Sequence, residues 1–201
     1  MDLSIIIPCH NLEKYITNLL LSFHMLVLDD IETEFIFVLD ACEDNTELII
    51  RDYMEGFNYK VLNCDYHSCG FARNRGFEES KGKYIWFVDG DDWIIYPGVV
   101  KDCLHVMKKY DLEIIRLRYT SNFFKKELLV MVWQYIYRRD LISDIRFVQK
   151  QPAEDDKFTQ EVYKKLTNDD IIVYDIPSYY YNYGRPGSNM TKIRESKNLK
   201  K

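Results

Sequence analysis

The sequence predicts an α/β fold, a mostly parallel sheet flanked by helices on both faces, and three observations support it. Apolar runs of five or six residues alternate with helical patterns through the first half of the chain. Within those runs polar residues are few, as in strands buried on both faces. Polar clusters (CHN, DACEDN and DGDD) come directly after the first, second and fourth runs. That is the edge at which an open parallel sheet binds its ligands.

LSIII (3–7) is the first strand, with Pro8 expected to stop it. After Asn11, an N-cap by residue type, Ile16, Leu19, Leu20, Phe23 and Val27 recur at helical spacing. EFIFVL (34–39) is the second strand. DNTELIIRDYMEG (44–56) has polar capping residues, a periodic middle and Gly56 as a stop, and YKVLNC (59–64) is the third strand. GFARNRGFEESKG (70–82) reads as a helix despite Gly76, and YIWFV (84–88) as the fourth strand. PGVVKDCLHVMKKY (97–110) is a helix opening with Pro97.

The second half is less regular. LEIIRLRY (112–119) suits a strand, while ELLVMVWQYIYRRDLI (127–142) is open between strand and helix. EDDKFTQEVYKKL (154–166) is a helix whose Phe158, Val162 and Leu166 stack at i+4. IIVYD (171–175) and SYYYNY (178–183) are strand candidates, and the charged tail KIRESKNLKK (192–201) is expected to fray. No linker or repeat divides the chain. It is therefore expected to be a single domain over 1–201, with halves at 1–110 and 111–191 and a flexible tail at 192–201.

At 201 residues and 47% hydrophobic, the chain can bury a sizeable core. A net charge of -5 argues against a nucleic-acid partner. The five scattered cysteines suit reduced thiols in an intracellular protein. The most apolar stretch, LLLSFHMLVL (19–28), is too short for a membrane span, and no basic leader precedes the first strand. The expectation is a cytoplasmic protein without a transmembrane segment.

YIWFVDGDDW sets Asp89 and Asp91 two residues apart at a strand end. Gly90 between them gives the chain freedom to turn, so both carboxylates can aim at one point. Like charges so placed repel, and a divalent cation that also binds substrate phosphate resolves the conflict. A solvated acidic loop is the plainer reading.

SIIIPCHN, VLDACEDNT, GFARNRGFEESKGKYIWFVDGDDW and EDDKF, in that order and spacing, resemble a family 2 glycosyltransferase with the GT-A fold. WQYIYRRDLISDIRF (133–147) resembles the segment before that family's catalytic helix, and YYYNYGRPGSNMT (179–191) its closing segment. The resemblance implies a Rossmann-like nucleotide-binding half, a smaller irregular acceptor half, and inverting sugar transfer from a nucleotide diphosphosugar.

Its residues carry over by position. Pro8, His10 and Asn11 fall in the loop that cradles the nucleobase; His10 stands where relatives have tyrosine, and an imidazole can still stack on uracil. Asp40 matches the acid accepting from the base imide N–H, which favours a UDP-sugar, with Leu39 replacing a commoner second aspartate. Glu13 is expected beside the ribose or at the start of the first helix. Arg73 resembles the residue reaching the pyrophosphate, with a surface salt bridge as the alternative.

Asp89, Gly90 and Asp91 match the DxD motif. The resemblance makes Asp91 the stronger metal ligand and shares Asp89 between ribose and a Mn²⁺ or Mg²⁺ ion, while Asp92 is expected to cap the next element. Either Glu154 or Asp155 suits a base stabilised as carboxylate at a helix N-terminus, and the family's acid-Asp-x-x-Phe pattern selects Asp155. All four histidines precede Asp155. A third metal ligand would therefore be Asn182, Tyr183, Ser188, water or nothing. Cys64, His67 and Cys69 lack zinc spacing. The second-half tyrosines read as core, and Trp133 as an acceptor contact.

The implied partners are a UDP-sugar and a glycan or lipid-linked saccharide acceptor, and the basic tail suits peripheral contact with an anionic membrane. A nucleotidyltransferase would want a glycine-rich basic loop where PCHNLEK stands, and a DxD phosphatase would carry its motif after the first strand. A catalytically degenerate domain that binds nucleotide or glycan without turnover is the alternative.

Overall fold

The computed structural model describes residues 1–122, 131–148, 154–166, 171–186, 188 and 191. The tail 192–201 and residues 127–130 of the ambiguous run lie outside the described residues.

The strands are β1 (Leu3–Cys9), β2 (Thr33–Asp40), β3 (Tyr59–Cys64), β4 (Tyr84–Phe87), β5 (Trp93–Ile94), β6 (Ile114–Ser121), β7 (Tyr135–Arg138) and β8 (Val173–Tyr181). They form one sheet in the order β3-β2-β1-β4-β7-β6-β8-β5. β3, β2, β1 and β4 are mutually parallel; β7 then pairs antiparallel with both β4 and β6. β8 runs parallel to β6, and the short β5 closes the far edge antiparallel to β8. The helices are α1 (Ile16–His24), α2 (Thr46–Tyr53), α3 (Cys69–Glu79), α4 (Val99–Tyr110) and α5 (Glu154–Lys165).

Unbroken apolar strands suit a sheet covered twice. Leu3, Ile5 and Ile7 of β1 enter a core with Phe23 of α1, Ile50 of α2 and Leu104 of α4. Ile6, pointing the other way, joins Phe77 of α3 and Phe158 and Val162 of α5. Each such fully buried side chain contributes about 1.5–3 kcal/mol. Gly76 is demanded by this packing, since a Cβ there would stand 2.4 Å from Ile6 Cγ2.

Several expectations need correction. Pro8 does not stop β1; it stays in register opposite Val38, and the strand runs on to Cys9. Asn11 does not cap α1, which begins at Ile16 after Tyr15. The ambiguous run is, over its described part, a 3-10 turn at Val132–Gln134 leading into β7. The two strand candidates flanking Pro177 are one strand, β8, whose register against β6 shifts around Arg118, the partner of Pro177.

Candidate active site

Three non-glycine residues just beyond β1, β2 and β3 (Asn11, Ala41 and His67) hold left-handed φ of 50°, 49° and 50°. Such conformers cost free energy and persist where surrounding bonds impose them. Asn11 Oδ1 accepts from Glu43 N at 2.8 Å. The Asp40 carboxylate accepts from the backbone N–H groups of Tyr66, His67 and Ser68 at 2.6, 3.0 and 2.6 Å. His10 Nδ1 donates to Asp40 O at 2.7 Å, leaving its ring 6.4 Å from that of His67. Asp40, 4% exposed, thus commits both oxygens to building this loop, ahead of any contact with a base.

Glu13 also serves a loop. It accepts from Asn45 N and Nδ2, both at 3.2 Å, at the start of α2 instead of α1. Leu12 N donates to Thr46 Oγ1 at 2.7 Å, completing the staple between the loop after β1 and α2.

The acidic loop joins β4 to β5. Gly90 has an ordinary backbone conformation, so its need is for space and not for turning freedom; a Cβ would meet Leu12 Cδ1 at 2.5 Å. Asp92 caps nothing. It is 1% exposed and accepts from Tyr179 Oη at 2.8 Å and Asn182 N at 2.8 Å, while Asp89 N donates to the same Tyr179 Oη at 3.1 Å. Burial, then Asp91 and Asp89, push the Asp92 carboxyl well above its ordinary value. Trp133 is buried and stacks on Tyr179 with ring centroids 4.6 Å apart. It supports this loop from behind and is no acceptor contact.

Arg73 is the centre of the site. Its Nη2 donates to Asp89 Oδ1 at 2.6 Å and its Nη1 to Asp155 Oδ1 at 2.7 Å, with Glu154 Oε1 at 3.6 Å. The guanidinium lies 5.3 Å over Phe147, which stacks on Phe158 at 4.1 Å. Asn74 pins Phe147 by exchanging two 2.9 Å bonds with its peptide. Only 3% exposed, Arg73 is no surface salt bridge; its guanidinium is buried between the two carboxylates. Asp155 opens α5, yet burial outweighs the help of the helix terminus. Its pKa is raised by burial, with Arg73 pulling it down and Asp89 pushing it up. Glu154 is raised likewise, first by burial.

Sequence reasoning passed over one residue. Arg185 Nε donates to Asp91 Oδ2, and its guanidinium lies 4.9 Å over the Tyr15 ring. Burial raises the Asp91 pKa, Arg185 opposes it, and Asp89 raises it further. The pair spans 94 positions, a distance at which no sequence pattern matches an arginine to an aspartate. Of the nominated third ligands, Asn182 Nδ2 donates to Asp91 O at 3.2 Å, Tyr183 N donates to Asn122 Oδ1 at 2.9 Å, and Ser188 Oγ donates to Thr191 Oγ1 at 2.9 Å. Among the described residues, no three or more of His, Cys, Asp and Glu are grouped to hold a metal. A cation at Asp89 and Asp91 would need its remaining ligands from phosphate and water, a donor set that suits Mg²⁺ or Mn²⁺.

The model of the family described as "Glycosyl transferase family 2" matches residues 4–170. Staphylococcus aureus (strain MW2) poly(ribitol-phosphate) beta-N-acetylglucosaminyltransferase TarS is 28% identical over 215 residues, 95% of this chain and 37% of its own. Glycosyltransferase GlyA of Streptococcus pneumoniae is 25% identical over 92% of this chain and 31% of its own. The chain therefore spans about a third of the length of these curated relatives. The crystal structure of S. aureus TarS 1-349 in complex with UDP-GlcNAc superposes with a TM-score of 0.86 at 27% identity, over 95% of this chain and 61% of that one. Mannosyltransferase PcManGT from Pyrobaculum calidifontis, in complex with GDP-Man and Mn²⁺, shares the fold at a TM-score of 0.73 and 13% identity, over 98% and 61%. No helix among the described residues is long and apolar enough to cross a membrane.

Proposed function

The chain belongs to glycosyl transferase family 2 and has the GT-A fold, and from that premise we propose that it transfers a sugar from a UDP-sugar to an acceptor hydroxyl with inversion. The observation that carries the reading is the Arg73 guanidinium, whose two nitrogens hold Asp89 and Asp155 at 2.6 and 2.7 Å. A residue suited to bind the donor's metal and a residue suited to activate the acceptor are thereby fixed to one another. UDP is favoured as the nucleotide because the TarS 1-349 structure holds UDP-GlcNAc.

In this reading residues 1–110 carry the donor and residues 111–191 the acceptor. Pro8, His10, Asn11 and Glu13 surround the nucleoside, with Asp40 shaping the loop beneath it. Gly90 lets the acidic loop lie close against Leu12. Asp91 and Asp89 would hold Mn²⁺ or Mg²⁺, which would supply positive charge to the departing diphosphate. Asp155 takes the acceptor hydroxyl's proton as that oxygen attacks the anomeric carbon, and its raised pKa makes it a stronger base than an exposed carboxylate. The acceptor is a glycan or lipid-linked saccharide, and five free cysteines suit work in the cytoplasm.

Calorimetry of UDP binding with Mn²⁺ and then with chelator, on wild type and Asp91→Ala, tests the metal and donor. Tight binding that needs metal and is lost in Asp91→Ala supports the reading; binding indifferent to both overturns it. Slow hydrolysis of UDP-GlcNAc without acceptor separates a working enzyme from a domain that binds without turnover. The latter reading is favoured by the arginines already neutralising Asp89 and Asp91.

A further inference from the structure

We propose that Arg185 stands in for the cation at Asp91 while the donor is absent, and leaves it for the nucleotide's diphosphate when metal and nucleotide enter together. This rests on the metal-and-diphosphate reading above and adds an order to it: the metal alone binds poorly, and metal and nucleotide bind as a pair.

The two arginines of the site differ in their freedom. Arg73 is 3% exposed, is bonded to carboxylates on two elements and lies over Phe147. Arg185 is 16% exposed and is carried on a turn. The residue before it, Gly184, has φ +78° with nothing within 4 Å of where a Cβ would stand, so nothing crowds the turn there. The turn is tied on both sides of Gly184: Tyr183 exchanges bonds with the Asn122 amide, and Thr191 Oγ1 donates to Arg185 O at 2.8 Å. The side chain can move while its base stays in place. Tyr15, under the guanidinium, supplies a cation–π rest against the start of α1.

Asp91 needs a positive partner. It is largely buried beside Asp89, and an unpaired anion there is costly. A metal ion arriving alone must displace Arg185 and gains only two carboxylates, since no His, Cys, Asp or Glu completes its shell among the described residues. Arriving with a diphosphate, it gains phosphate oxygens, and the displaced guanidinium gains a bidentate anionic partner. Ejection is unfavourable in the first case and compensated in the second.

The experiment measures Mn²⁺ affinity by electron paramagnetic resonance of the free ion. It compares wild type, Arg185→Ala, Arg185→Lys and Asp91→Ala, each with and without UDP, with thermal melts to confirm folding. Arg185→Ala is expected to bind Mn²⁺ alone roughly tenfold tighter than wild type, while UDP raises its Mn²⁺ affinity by a smaller factor. Arg185→Lys, which keeps the charge but not the planar fork, is expected to fall between. Arg185→Ala binding Mn²⁺ alone no tighter than wild type, with UDP still enhancing wild-type binding, overturns this inference and leaves the metal reading standing. Wild type that ignores Mn²⁺ even with UDP overturns both.

Discussion

Arg73 Nη1 lies 2.7 Å from Asp155 Oδ1, across 82 positions of sequence. That contact places the proposed base, at the start of α5, over the strand that carries the acidic loop, and sets the charge environment of its carboxylate.

Replacing Asp155 by Asn removes the proposed proton acceptor and keeps the shape. The transfer rate should fall by about 10²–10⁴. UDP and Mn²⁺ affinities by calorimetry should stay near wild type, because the groups proposed to bind the donor and the metal remain. Loss of donor affinity together with rate would move Asp155 from catalysis to binding.

Arg73→Met should move the acid limb of the kcat/KM–pH profile to higher pH. Burial raises the Asp155 pKa and Arg73 opposes it, so deleting the guanidinium lets the pKa climb. Activity that requires the carboxylate then disappears at a higher pH as acid is added. Arg73→Lys should not restore the wild-type profile, since one ammonium cannot span Asp89 and Asp155 as the fork does.

Glu34 gives a pH dependence of stability. Burial pushes its carboxyl up, but bonds from Ser4 Oγ at 2.7 Å and Lys81 N at 2.6 Å, with Lys60 Nζ at 3.2 Å, outweigh burial and hold it below the ordinary value. A folded-state pKa below the unfolded value, about 4.3, gives a stabilisation present above that pH and lost as pH falls through the folded value. Glu34→Gln should therefore cost about 1 kcal/mol near neutrality. By denaturant titration, the gap to wild type should close as the pH drops well below about 4.

Gly82→Ala should destabilise through backbone collision. Its Cβ would stand 2.4 Å from Ser4 N and 2.6 Å from Leu3 C, both main-chain atoms of β1 that cannot turn aside. A loss of about 1–3 kcal/mol is expected, read as a lower urea midpoint with unchanged slope. Gly90→Ala meets the flexible end of Leu12 and should cost less.

Most of the parallel half was legible in the sequence, because strands buried on both faces must be apolar at consecutive positions, as Ile5, Ile6 and Ile7 are. Two-residue β5 was not: Trp93 and Ile94 carry no period, and their pairing exists only because β8 arrives beside them. Pro177 makes β8 look like two strands, since a proline normally interrupts a ladder, and the register shift that accommodates it leaves no local signal. Within the site, Asp89, Asp91, Asp155 and Arg73 were legible as residues. What Arg73 and Asp92 touch was not, because those contacts depend on burial and on segments far apart in sequence. Arg185 lies inside the closing segment 179–191 and escaped notice for the same reason.

β5 pairs with β8, and Tyr179 and Asn182 hold Asp92 from below. The acidic loop is thus moored at one end to the sheet's middle and at the other to residues emerging from the ribosome long after it. During synthesis the nucleotide-side strands can dock early, while the loop between them has no far mooring until Val173–Tyr181 has been translated and placed. A nascent chain can therefore hold most of its sheet while its acidic loop still lacks the bonds from Tyr179 and Asn182 that anchor Asp92, bonds supplied by a segment that carries none of the loop's aspartates.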